Sequence, residues 1–138
     1  MQQTLCIIKP DATKRNLVET INSIIIRNDL KIVVQKKLKL SIDQAKKFYE
    51  IHNDKSFFKD LIDYMTSYEV VIQVLEGENA VNKYRQIMGS TDPKEALEGT
   101  IRKKVGLSKQ ENSVHGSDSI ENAINEIKFF FNEDEINK

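Results

Sequence analysis

The 138 residues contain one cysteine, Cys6. It has no partner for an intramolecular disulfide and sits inside an apolar run, which suits a reducing compartment, so a cytoplasmic protein is expected. Long hydrophobic runs are missing as well. Stretches such as Leu5 to Ile8 and Val70 to Ile72 fall several-fold short of a bilayer span, and the N-terminal residues carry no export-type apolar core. No membrane partner is expected. No charge of one sign dominates, because 21 Lys and Arg balance 21 Asp and Glu, so nothing draws the whole chain to nucleic acid or acidic lipid. The common nucleotide and metal signatures are absent too: there is no Gly-x-x-x-x-Gly-Lys loop, Gly-x-Gly-x-x-Gly turn, Cys-x-x-Cys pair or His-Glu-x-x-His helix. Repeats and Pro-rich or Ser-rich linkers are lacking, and the one biased stretch is a short acidic end around Glu133 to Glu135. With 39% hydrophobic and 30% charged residues, the chain is too apolar for disorder and too polar for a membrane, and it reads as one domain over 1–138.

What is present is an alternation of strand and helix periods. Thr4 to Ile8 reads as a strand stopped by Lys9-Pro10-Asp11, since Pro10 cannot donate to a sheet ladder and biases Lys9 to extended backbone. Leu17, Ile21, Ile24 and Ile25 recur at helical spacing up to about Asn28, and Ile32, Val34, Leu38 and Leu40 then alternate as in a strand. Ser41 with Gln44 is a capping-box pattern opening a helix with Ala45, Phe48, Tyr49 and His52 on one face. Phe57, Phe58, Leu61, Ile62 and Met65 repeat the period, predicting a helical hairpin. Val70 to Leu75 reads as a strand covered on both faces, and Ala80, Tyr84, Ile87 and Met88 as a helix closed by Gly89. From Ser90 to about Asp118 no period persists. Loops of this length in compact domains are usually functional or disordered, and Ile101, Val105, Leu107 and Val114, spaced like anchors, argue against disorder. Ser119 offers an N-cap for a helix with Ile120, Ala123, Ile124 and Ile127, and Phe129 to Phe131 are expected to form the last short strand. This order predicts an α+β fold, a ferredoxin-like βαββαβ with a four-stranded antiparallel sheet, helices packed on one face, and a long functional loop.

Few residues carry chemistry. Cys6 is set aside because a thiolate inside an apolar strand is disfavoured. His52 shares a helical face with Phe48 and Tyr49 and reads as a partly buried or capping histidine. His115, in Ser113-Val114-His115-Gly116-Ser117-Asp118-Ser119, follows the long loop and precedes a helix N-terminus. Gly116 would let the backbone turn sharply beside it, and the helix end offers N–H groups and a positive dipole to an anion. A phosphate-facing histidine and a structural loop histidine both fit this position. Lys83 to Lys109 holds seven basic against three acidic residues without the period of an amphipathic helix. Lys9 at a strand end, Arg85 on a helix and Arg102 in the loop come from separate parts of the chain that such sheets bring together. Arg suits bidentate phosphate clamping and Lys supplies a point charge, although each alone is more often a solvated surface cation.

Three runs stand out together: Thr4-Leu5-Cys6-Ile7-Ile8-Lys9-Pro10-Asp11-Ala12, Gly99-Thr100-Ile101-Arg102 and Asn112-Ser113-Val114-His115-Gly116-Ser117-Asp118-Ser119. With Val74 to Val81 and Tyr84 to Gly89 between them, they closely resemble the nucleoside diphosphate kinases, from about Thr4 to Phe131. The resemblance implies a single domain of that family and a magnesium-dependent, ping-pong transfer of the γ-phosphoryl from a nucleoside triphosphate, mainly ATP, to nucleoside diphosphates of almost any base or sugar, maintaining triphosphate pools. It implies that His115 is the phosphorylated intermediate and attacks through Nδ1. An imidazole is a good nucleophile near neutral pH, and covalent catalysis lets one pocket serve donor and acceptor in turn. By the same resemblance Lys9, Arg85, Thr91, Arg102 and Asn112 match contacts to phosphates and ribose, Lys9 counting among the catalytic residues as well. Phe57 matches an aromatic that stacks on the base, with Leu61 behind it, and stacking accepts any base. Tyr49, Ser117 and Glu126 match residues around the histidine, where a carboxylate would fix the ring's tautomer and orientation. Mg2+ is implied to be held mainly by nucleotide phosphates with no direct protein ligand, Asp118 reaching it at most through water. A homo-oligomer, hexamer or tetramer, is implied as well.

The chain departs from the family pattern at Glu19, Lys55-Ser56 and Tyr68-Glu69, and more pointedly at Lys103-Lys104-Val105 after Arg102 and at Lys109 near the expected base slot. Two rival readings stand beside the resemblance. A non-catalytic relative would use the pocket only to bind nucleotide, and the retention of His115 with Lys9, Arg85, Arg102 and Asn112 disfavours it. Nucleic-acid binding through Lys83 to Lys109 is disfavoured by overall neutrality and the lack of a basic face.

Overall fold

The computed structural model describes residues 1–137. Strand β1 (Gln2–Ile8) runs into the short helix α1 (Pro10–Lys14), where Pro10 occupies the first turn and its missing N–H breaks no helical bond. Helix α2 (Val18–Arg27) and strand β2 (Lys31–Leu38) follow. Helix α3 (Ile42–Phe48) opens on the expected capping box: the Gln44 N–H donates to Ser41 Oγ and the Ser41 N–H donates to Gln44 Oε1, both at 3.0 Å. Such a cap stabilises a helix by about 1 kcal/mol. One 3-10 turn, Glu50–His52, leads to α4 (Phe58–Met65), completing the helical hairpin. Then come β3 (Val70–Gly77), α5 (Ala80–Met88) ending on Gly89 with φ 89°, α6 (Ile101–Val105), β4 (Val114–Gly116), α7 (Ile120–Phe130) and α8 (Glu133–Ile136).

The four strands stand in the order β2-β3-β1-β4 with every neighbouring pair antiparallel, which is the ferredoxin-like α+β arrangement. Helices cover both faces of this sheet, not one. Cys6, Ile8, Val71 and Leu75 pack against Ile21 and Ile25 of α2, Tyr84 and Met88 of α5 and Ile101 of α6. Leu5, Ile7, Ile72 and Val74 face the other way, against Ala45 of α3, Ile62 and Met65 of α4 and Ile127 of α7. The cause lies in the central strands, where Leu5 to Ile8 are fully buried on both faces, as are Val70, Ile72, Val74 and Leu75. Each such Leu or Ile left bare would forfeit roughly 1.5–3 kcal/mol, more than any single turn preference supplies, so the helices divide between the two faces.

The fourth strand lies upstream of the expected place. Phe129 and Phe130 complete α7 and Phe131 is its extended C-cap, whereas β4 is the three-residue segment around His115. Aromatic runs favour strands, but here Phe130 and Phe131 bury on the α3–α4 side at helical spacing from Ile127, and that packing prevails. The long loop is also more regular than its sequence period: it holds a 3-10 turn at Pro93–Glu95 capped by Asp92, helix α6 capped by Thr100, and β4. Of its expected anchors Ile101, Val105 and Val114 are buried, while Leu107 is 58% exposed and anchors nothing. Pairing of β4 with β1 sets Ile8 opposite Val114 and Ile7 opposite His115, and the Lys9 N–H donates to Ser113 O at 2.8 Å. That register joins the Lys9 and His115 segments at one end of the sheet.

Candidate active site

A cleft of about 700 Å³ opens at this end, between the α3–α4 hairpin, the C-terminal half of α5, the loop from Gly89 to Asn112, and α7. Lys9, Tyr49, Phe57, Leu61, Arg85, Thr91, Arg102, Asn112, His115, Asp118 and Glu126 all line it, so residues scattered over the chain meet in one cavity. Ser117 stands just behind, fully buried and bonded to Glu126. Of the basic residues between Lys83 and Lys109, Arg85, Arg102 and Lys109 turn into the cleft, whereas Lys103 and Lys104 are exposed on α6 outside its lining.

The cationic end is deeply set. Lys9 Nζ donates to Asn112 Oδ1 at 2.9 Å, and the Asn112 amide in turn donates to Thr91 O and Lys109 O, at 3.1 and 2.9 Å. Burial pushes the Lys9 ammonium down to about 7, with Arg102 adding to the shift and Asp11 opposing it. The Arg102 guanidinium donates to Gly89 O at 3.1 Å and Val114 O at 2.8 Å, while its Nε–H is buried with no protein partner. Burial holds this guanidinium below its usual value, Tyr84 opposing and Arg85 adding to the effect. Two buried cations share one cavity with donor capacity to spare, an arrangement that stabilises an entering polyanion more than it stabilises the empty protein.

At the same end His115 Nε2 lies 2.9 Å from Glu126 Oε1, and Ser117 Oγ donates to that same oxygen at 2.8 Å. A carboxylate accepts, so the ring proton sits on Nε2 and Nδ1 carries the free lone pair. Phe48 packs edge-on against the imidazole with centroids 5.4 Å apart, and Tyr49 stands at 6.4 Å. The Tyr49 hydroxyl is buried without a protein partner, and burial followed by the Glu126 charge holds its phenol protonated well above the usual range. Gly116 serves differently than expected. Its φ is not left-handed; instead a Cβ there would come within 2.7 Å of the Tyr84 ring and 2.9 Å of Met88 Sδ, so the glycine lets β4 lie flat on α5.

Several lining residues escaped the reading of the sequence. Phe48, whose period only places it on one helix face with Ala45 and Tyr49, wedges the imidazole. His52 sits in the 3-10 turn, half-buried as expected, but it also lines the cleft with its ring 5.7 Å from Phe57. Ile51, Met88, Gln110 and Asn122 complete the lining and had no local signal. Cys6 is inert as expected: burial pushes its thiol up to about 11, and it contacts the Tyr84 hydroxyl.

Acidic groups in the cleft are few. Glu126 is engaged by His115 and Ser117, and Asp118 stands on the rim, its carboxylate accepting from Asn122 Nδ2 at 2.5 Å. Among the described residues no three potential metal ligands converge. This donor set fits a hard cation that arrives on phosphate oxygens, with one carboxylate at the rim, and does not fit a protein-built cage.

A buried cationic pocket with a carboxylate-held imidazole on an α+β sheet defines a phosphate-handling protein. The nucleoside diphosphate kinase family model matches residues 2–136. Nucleoside diphosphate kinases from Phenylobacterium zucineum and a Wolbachia pipientis strain are 56% and 57% identical, over 98% and 99% of this chain and 97% and 98% of theirs. Among solved structures, the Aquifex aeolicus nucleoside diphosphate kinase superposes with a TM-score of 0.95 at 38% identity, covering 98% of each chain. A halophilic nucleoside diphosphate kinase from Halobacterium salinarum in complex with CDP superposes with 0.94 at 36%, covering 98% of this chain and 90% of that one. The chain therefore belongs to the nucleoside diphosphate kinase family. It is an enzyme that phosphorylates nucleoside diphosphates, and as such a kinase it works with a divalent cation.

Proposed function

We propose that the chain forms one catalytic domain in which His115 carries the phosphoryl group between a nucleoside triphosphate, mainly ATP, and a nucleoside diphosphate. The observation that supports this most directly is the 2.9 Å contact between His115 Nε2 and Glu126, which leaves Nδ1 as the nucleophilic nitrogen of a ring that lines the same cleft as Lys9 and Arg102. The Nδ1 lone pair attacks the γ-phosphorus as the bond to the β–γ bridging oxygen breaks, and the diphosphate leaves with that oxygen. A second diphosphate then attacks the same phosphorus, and the electron pair returns to Nδ1. As the P–N bond forms, the ring gains positive charge, which Glu126 offsets while Ser117 holds the carboxylate in place.

Lys9 and Arg102 neutralise charge on the phosphoryl oxygens, and Arg85, Thr91 and Asn112 hold the remaining phosphates and the ribose. Tyr49 lines the same cleft and keeps its buried hydroxyl unpartnered, a donor free to reach a phosphoryl oxygen once the site is occupied. Phe57, backed by Leu61, offers a flat face to the base and reads none of its edges, in keeping with broad substrate choice. The cation would be Mg2+ brought by the nucleotide, where it would screen phosphate charge, and Asp118 at the rim would meet it through water.

The exposed apolar side chains Ile26, Ile42, Leu97, Leu107, Ile120 and Ile124 are in keeping with a homo-oligomer, a tetramer or hexamer. The fully buried free thiol of Cys6 is in keeping with the cytoplasm. Incubation with radiolabelled ATP and magnesium is expected to leave an acid-labile, base-stable phosphoprotein that His115→Ala abolishes. A wild-type protein that fails to label would end this reading.

A further inference from the structure

One buried carboxylate outside the cleft lining gathers contacts from three residues, Arg15, Tyr64 and Ser113. Asp11, in the first turn of α1, is 5% exposed. Its carboxylate accepts from the Tyr64 hydroxyl, from the Ser113 N–H at 3.2 Å, from Ser113 Oγ at 2.8 Å and from Arg15 Nη2 at 3.0 Å. Arg15 passes the link on by donating to Val105 O at 2.7 Å, at the end of α6. Tyr64 belongs to α4, the helix that follows Phe57 and carries Leu61. Ser113 precedes β4 and stands two residues before His115, while Lys9 lies two residues before Asp11 itself. One negative charge is thus bonded, directly or through Arg15, to the segments that carry Lys9, Leu61, Arg102 and His115.

Ser113 makes the need for such a tie concrete. Its φ is 75°, a left-handed backbone that costs a non-glycine residue on the order of 1–3 kcal/mol and persists only when its surroundings over-determine it. Asp11 supplies that determination by holding both the N–H and the hydroxyl of Ser113, and Lys9 N–H holds its carbonyl. The kink ends where β4 begins, so it sets the angle at which His115 enters the cleft.

We propose that Asp11 is a positioning residue for the phosphoryl transfer: it touches no substrate, but its bonds to Ser113, Arg15 and Tyr64 set His115 against Lys9 and Arg102. This rests on the reading of His115 as the phosphoryl carrier. A displacement of about 1 Å in such a geometry costs on the order of 100-fold in rate, whereas a merely structural role would lower stability and leave the rate per folded molecule unchanged. Asp11 also faces Lys9 through space and opposes the fall in its pKa; the other groups around the pair are Arg102, Arg15, Asn112 and Tyr64, the last with Glu111 beyond it.

The test is single-turnover phosphorylation of the enzyme by ATP with magnesium, alongside a thermal melt and ADP binding across pH, for Asp11→Asn, Ser113→Ala, Ser113→Gly and Asp11→Asn with Ser113→Gly. Asp11→Asn keeps the shape and removes the charge. It is expected to slow phosphorylation on the order of 10- to 100-fold and to move the alkaline fall of ADP affinity to lower pH. Ser113→Gly, which adopts the kink without help, is expected to restore part of the lost rate in the double variant. A folded Asp11→Asn protein with the wild-type rate and pH profile would overturn the proposal. If Asp11→Asn does not fold, Ser113→Ala decides: a slowed phosphorylation supports the proposal and an unchanged one overturns it. A wild-type enzyme that binds ADP but never labels would instead overturn the phosphohistidine reading, and this proposal with it.

Discussion

The two ends of the cleft are built to opposite specifications. At the phosphate end Lys9, Arg102, Asn112 and Ser117 are all less than a tenth exposed, and every one is tied to backbone or to another buried group. At the other end Phe57 is 47% exposed and Ile51 81%, and Lys109 lies open to solvent. The proposed function assigns the chemistry common to all substrates to the rigid end, where preorganised charge need not rearrange during transfer. On the proposed reading the part of the substrate that varies would meet the loose end, where stacking on one aromatic tolerates any base.

Substitutions graded along the cleft test this contrast. Arg102→Ala strikes the rigid end hardest, with phosphoryl transfer expected to fall on the order of 100- to 1,000-fold in single-turnover kinetics. It should also cost roughly 1–3 kcal/mol in a denaturant melt, because Gly89 O and Val114 O lose their donor. Wild-type kinetics in this variant would remove Arg102 from the mechanism.

Lys9 supplies a pH signature. Burial holds it near 7 in the free protein, so the ammonium is lost as pH climbs past that value. A polyanion favours the charged form, and nucleotide binding is expected to take up a proton and to weaken above pH 7. Calorimetry in buffers of different ionisation enthalpy reads that uptake, and Lys9→Met should abolish it. The stability effect has the opposite sense. The unfolded lysine keeps its proton up to about 10.5, so the penalty on folding is complete below about 7 and fades as pH rises between those values.

Smaller effects belong to the open end. Phe57→Ala is expected to raise KM for purine and pyrimidine nucleotides alike, about 5- to 100-fold from a stacking contribution of roughly 1–3 kcal/mol, with kcat little changed. A loss confined to one base would show that this end does read sequence. Lys109→Ala, an exposed cation, should alter KM by less than about fivefold, and a larger effect would move Lys109 to the rigid end.

Much of this contrast was legible beforehand, for local reasons. The apolar runs of β1 and β3, the Ser41 capping box and the Gly89 stop are determined by a handful of neighbouring residues, and the structure has them where the periods put them. The fourth strand was misplaced because its formation is not local: three residues pair with β1 across more than a hundred positions, while the more strand-like Phe129 to Phe131 extend a helix because the core beside Ile127 has room for them. Of the cleft residues, His115, Lys9, Arg85 and Arg102 stood out by chain position and charge, whereas Tyr49, Phe57, Leu61, Thr91, Asn112, Ser117 and Glu126 came from motif resemblance alone. No period links Lys9 to Asn112 or His115 to Glu126, and only the closed sheet does. Phe48 and Asp11 were invisible because a ring on an apolar face and an acid after a proline look ordinary until the tertiary contacts exist.

Strand β4 joins the sheet from far downstream: Leu5 N–H reaches Ser117 Oγ at 3.4 Å over 112 positions, and Lys9 reaches Asn112 over 103. During synthesis the ribosome must therefore release the chain past Ser117 before this end of the sheet can assemble. A nascent chain cut before Asn112 would hold Lys9, Tyr49, Arg85 and Arg102 but neither β4 nor Glu126, so the cleft cannot close until that downstream segment has emerged.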